Sequence, residues 1–139
     1  MDFSYAEQLL AIYIENARRV LVAHFGVDRA ERSFFDVVEL LREEPKLSSL
    51  FLQAVRDSFI KHDPRSLDEG VLPRELVEVA THELRWPEFG EIARERIELK
   101  FGGDQRLAAS DPAMAVLAAY DPAWEDREFY RKYREQGAA

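Results

Sequence analysis

Residues His82 to Phe89 read HELRWPEF, which sets a histidine beside a glutamate and follows them with an arginine, a tryptophan and a proline. An imidazole next to a carboxylate can move protons. On a helix, HExxH would place two histidines over one metal ion while the glutamate handles the water. Here the residue four after His82 is Trp86, so the second ligand is missing. His24 and His62 fall on other predicted helices, and no motif spacing joins them to His82. The Trp-Pro pair instead predicts a corner, because the residue before a proline leaves helical geometry and a proline suits the first turn of a helix. In that corner Trp86 buries much of its ring, His82 packs on it or hydrogen-bonds, and Arg85 pairs with Glu88 or covers the ring. The alternative is a small-ligand-binding protein or hydrolase using His82 and Glu83, with Arg85 nearby. Consecutive helical residues point about 100° apart, so that alternative needs an unwound helix.

No other catalytic pattern emerges. None of the serines sits in a G-x-S-x-G elbow. FGGDQR at 101–106 lacks the preceding strand and the GK[ST] ending of a phosphate loop, and reads as a helix end followed by a loop. The absence of cysteine removes disulfides, thiolate metal sites and thiol nucleophiles. Neither a cofactor nor a metal is expected.

Charge and aromatics are the remaining leads. The net charge is −8, which disfavours nucleic acid and anionic membranes as partners. Nine carboxylates and four arginines lie between Asp68 and Glu98, so more than half of the net charge sits in under a quarter of the chain. Glu91, Glu95 and Glu98 share one side of a predicted helix, where Arg94 is placed to offset Glu91 and Glu98. Such a ridge is either a solvated face or a dock for a basic surface. Sixteen aromatic residues are present, and Trp124, Phe129, Tyr130 and Tyr133 gather near the C-terminus among arginines and a lysine. These pack the last helix onto the body or, like the Trp, Tyr and Arg of many interfaces, anchor a partner.

The elements that must position these residues are all helical. Apolar residues recur at spacings of three and four almost throughout, and no stretch alternates with period two. The first helix is expected from about Ser4 to Phe25, with Ser4 and Glu7 as a capping box, His24 and Phe25 on its inward stripe, and Gly26 as its stop. Asp28 is expected to cap a second helix that carries Phe34, Phe35, Val38 and Leu41 inward and ends at Pro45. A third helix begins at Ser48 or Ser49 and ends near His62. Pro73 opens a fourth, and Pro87 opens a fifth that closes at Gly102–Gly103. Asp-Pro pairs at 111–112 and 121–122 are each expected to start a further helix.

The expectation is therefore one all-α domain spanning 1–139. Its six to seven helices form a compact bundle or a short stack of helical hairpins. At 139 residues the chain is long enough for one core. No apolar run approaches a membrane span, and Met1–Asp2 opens no signal-peptide pattern, so a cytoplasmic setting is expected. The functional expectation is a non-catalytic, acidic protein-interaction module, for example an inhibitor or immunity-type protein that covers a basic partner. A structural subunit of a homo-oligomer is the other alternative.

Overall fold

The computed structural model describes residues 1–137. Seven α-helices follow one another: α1 Phe3–Val22, α2 Val27–Glu43, α3 Ser48–Arg56, α4 Arg74–Leu84, α5 Pro87–Phe101, α6 Pro112–Ala118 and α7 Arg131–Gly137. Two 3-10 turns, Pro45–Leu47 and Glu125–Phe129, and a π-helical turn, Asp57–Lys61, complete the order. No strand occurs among the described residues, and the helices pack as a compact bundle. None of them is long and apolar enough to cross a membrane.

The periodic stripes place the core. Phe34 and Leu41 of α2, Phe51 of α3, Leu76 of α4 and Phe89 and Ile97 of α5 are almost wholly buried. Each such side chain contributes roughly 1.5–3 kcal/mol of transfer free energy. Phe51 and Phe89 meet edge to face at 6.1 Å, which ties α3 to α5. Helix α1 packs along α2, α2 reaches α4, and α6 bridges α4 and α5.

Several helix ends differ from expectation. Asp2, not Ser4, caps α1, accepting the Ser4 amide at 3.2 Å. Helix α1 stops at Val22, and His24 then takes a left-handed backbone (φ 63°). That turn carries His24 and Phe25 out of the apolar stripe, and Phe25 is 64% exposed. Gly26 becomes the N-cap of α2, while Asp28 lies in its first turn. The Asp-Pro pair at 111–112 does start a helix, with Asp111 accepting the Ala113 amide at 2.9 Å. The pair at 121–122 does not. Asp121 caps only the Ala123 amide, and the chain continues as the 3-10 turn 125–129, called the strap below.

Two polar staples lock this frame. The π turn lets the Ser58 hydroxyl donate to Ala54 O and accept the Leu72 amide, at 2.8 and 2.9 Å. It also leaves the carbonyls of Phe59 and His62 free of helical partners. Both accept from Nη1 of Arg96, at 2.7 and 3.3 Å. Arg96 is 1% exposed, and its remaining donors reach both carboxylate oxygens of Asp111. At the far end, Glu31 of α2 accepts the amides of Arg131 and Lys132, at 2.7 and 3.0 Å. The carboxylate serves the orphan donors of a helix start, where negative charge is favoured.

Candidate functional site

Pro87 makes the expected corner. Arg85 ends α4 in the left-handed region (φ 57°), Trp86 is extended, and α5 begins at once. Trp86 is half-buried and stacks on Phe89 at 5.4 Å, not on His82. Its outer edge faces an apolar groove of about 340 Å³ with Pro45, Leu52 and Glu88. The corner is held by a residue that spacing did not single out, Tyr120. Its hydroxyl donates to Trp86 O and accepts the Gly90 amide, the latter at 2.9 Å. A Cβ on Gly90 would stand 3.3 Å from the Tyr120 ring, so the glycine admits this close approach. Arg85 pairs with neither Glu88 nor the indole; Nη1 donates to Tyr120 O at 2.5 Å.

His82 is 4% exposed and faces the C-terminal segment. Its Nδ1 lies 2.7 Å from Ala119 O, and its Nε2 lies 2.6 Å from Nη1 of Arg127. A guanidinium can only donate, so Nε2 is the acceptor and Nδ1 carries the proton that goes to Ala119. Trp124 covers one face of the imidazole at 4.9 Å, and Tyr133 meets it edge-on at 5.3 Å. Burial holds the imidazole pKa below its ordinary value, and the Arg127 and Arg85 charges add to that, against the Ala119 hydrogen bond. Glu83 points elsewhere, accepting from the Tyr133 hydroxyl and from Arg42, at 2.9 and 3.0 Å. Burial raises its carboxyl pKa, but those two donors outweigh it and hold the group below the usual range. The adjacent His82 and Glu83 thus spend their polar atoms on separate internal partners.

Trp124 and Tyr130 are buried as well, so both pack the C-terminal segment onto the bundle instead of standing out from it as anchors. The acidic ridge is only partly free. Glu95 is bound by Arg56 of α3, with its Oε1 at 2.7 Å from Nη2. Glu91 and Glu98 remain exposed, and among the described residues Arg94 forms no ion pair with either.

A different acidic region surrounds the strap. Asp121, Glu125 and Asp126 line a groove of about 570 Å³ together with Trp124 and residues of α6. Asp126 also borders a second cavity of about 250 Å³, walled by Val27, Arg74, Glu75, Glu78, Phe129 and Tyr130. Glu78 is the unusual member. Its side chain is 3% exposed, and its Oε2 is buried without a hydrogen-bond partner. Arg74 approaches at 3.7 Å, beyond hydrogen-bond reach, while also standing 3.6 Å from Glu75. Burial pushes the Glu78 carboxyl up to about 8, only partly opposed by Arg74. Burial likewise raises Glu75, and it raises the Tyr130 hydroxyl with help from the charges of Glu78, Glu75 and Asp126. Among the described residues no three His, Cys, Asp or Glu side chains gather as a metal-ligand set.

Comparison of this chain with protein-family models, curated proteins and solved structures finds no match.

Proposed function

We propose that this chain is a non-catalytic, acidic interaction module that receives a basic partner protein, in the manner of an inhibitor or immunity-type protein. One observation carries this reading. Asp121, Glu125 and Asp126 line one groove, and among the described residues none of them is paired with an internal cation. Carboxylates so arranged favour a positively charged surface and speed its approach. The residues that could have done chemistry, His82 and Glu83, have their polar atoms engaged inside the fold, which supports binding over catalysis.

The reading is tested by capture from native lysate with the wild-type chain and with the D121N/E125Q/D126N variant. A basic protein retained by the first and lost from the second is expected. Capture of the same partners by both chains would move the interface elsewhere.

A second reading, a subunit of a homo-oligomer, draws on α1, whose Tyr5, Ile12 and Val22 are exposed. Its mark is a solution mass at a multiple of 16.1 kDa.

A further inference from the structure

We propose that the cavity between α2, α4 and the strap is a receptor for a single alkylammonium group, supplied by a lysine side chain of the partner, with Glu78 as its anchoring carboxylate. The inference rests on the preceding reading that the partner is basic.

Size is the first argument. About 250 Å³ lies below the range of roughly 300–1,000 Å³ typical of sites for whole small molecules. It suits one side chain. Glu78 adds an unmet demand, because a buried carboxylate oxygen without a hydrogen-bond partner is costly and uncommon in a native fold. Arg74 forms an ion pair with that oxygen at 3.7 Å but no hydrogen bond, and it is shared with Glu75.

The walls then choose the cation. Val27 offers an apolar side for a methylene stem, and Phe129 and Tyr130 offer rings to a positive head. Glu75, Glu78 and Asp126 border the same space from two elements, without converging on a single point. An ammonium is a compact point charge on a slim stem, whereas a guanidinium is a wider planar fork that binds a carboxylate best through both oxygens, and the Glu78 side chain is only 3% exposed. The lysine head is therefore the better match. Its entry replaces the proton on Glu78 with a neighbouring positive charge, and the displaced proton leaves to solvent.

The test uses n-butylammonium as the probe, follows the Glu78 carboxyl carbon of the wild type by NMR across pH, and compares binding to wild type and to E78Q. Saturable shifts at Glu75, Glu78, Asp126 and Tyr130 are expected. The Glu78 midpoint should fall from about 8 by roughly one unit or more, a tenfold preference for the ionised form. E78Q, which keeps the shape of the neutral acid, should lose at least tenfold in affinity while unfolding cooperatively; D126N, at the rim, should lose several-fold. An unmoved midpoint, or equal binding by E78Q, overturns the receptor. A lysine-rich peptide separates the two readings. If it binds wild type and E78Q alike but not the D121N/E125Q variant, the acidic groove stands and the Glu78 receptor fails. If n-butylammonium binds with the midpoint shift while the peptide does not, the receptor stands and the basic-partner reading fails.

Discussion

Nε and Nη2 of Arg96 meet the two carboxylate oxygens of Asp111 at 2.8 and 3.1 Å, and neither residue is more than 6% exposed. Burial alone would raise the Asp111 carboxyl pKa, but Arg96 and the Ala113 amide outweigh it and hold the group ionised. The pair joins α5 to the start of α6, and through the carbonyls of Phe59 and His62 it also closes the π turn. Removing one partner strands the other, so Arg96→Met should cost about 3–5 kcal/mol in denaturant unfolding. Adding Asp111→Asn removes the stranded charge and should recover part of that loss. If the two changes simply add, the residues are not coupled.

Glu78 gives stability an unusual dependence on pH. Its pKa rises from 4.5 in the unfolded chain to about 8 in the fold, so the folded state holds a proton that the unfolded state has released. Below pH 4.5 both states are protonated and the group is neutral to folding. Between 4.5 and 8 its contribution becomes steadily unfavourable, by roughly 3 kcal/mol at pH 7. E78Q should therefore be more stable than wild type at pH 7, with the advantage gone near pH 4.5. A pH-independent difference between the two chains would contradict this.

His82 acts with the opposite sign. Its folded pKa lies below the ordinary 6.5, so the unfolded chain takes up the proton first and stability falls as the pH drops below 6.5. The Glu78 slope opposes it over part of this range, so E78Q is the cleaner background for the measurement. There, His82→Phe keeps the ring against Trp124 but leaves Ala119 O without its donor and Arg127 Nη1 without its acceptor, the guanidinium keeping its place over the Tyr133 ring. It should cost about 2–4 kcal/mol at neutral pH and flatten the acid limb. Retention of the full acid slope would assign it to another group.

Tyr120→Phe isolates the corner. The ring still fills its place beside Gly90, but Trp86 O loses a donor and the Gly90 amide an acceptor. Thermal unfolding should show a loss of about 1–3 kcal/mol. Amide exchange at Gly90 should also quicken, and unchanged protection there would place the restraint elsewhere.

The helices were legible because their apolar residues keep one period, and the corner because Pro87 dictates where α4 must yield. Asp111 as a cap was legible for the same local reason. What escaped is long-range. Arg96 lies in ARERIELK, which reads as a solvated run, although it falls on the same side as Phe89, Ile92, Ala93 and Ile97. That placement was the available signal. Glu78 offered none, since its burial depends on the strap, a short 3-10 segment nearly fifty residues later that borders the same cavity. His82 stood out as a residue type, yet its partners Ala119 and Arg127 come from the end of α6 and from the strap. Side chains of α4 are therefore defined by a part of the chain whose path no periodicity describes.

The grip of Glu31 on the amides of Arg131 and Lys132 carries a consequence for folding order. It joins positions 100 and 101 residues apart, whereas α1 and α2 meet through a short turn. Closing so large a loop is entropically slow, and a helix as short as α7 does not persist alone. The earlier helices can thus assemble into a frame first, with the strap and α7 settling on it late and releasing first. In hydrogen exchange, amides of the strap should open at lower free energy than those of α2 and α5. The walls that Asp126, Phe129 and Tyr130 lend to the Glu78 cavity would then come and go as a unit, with Glu31 as the latch.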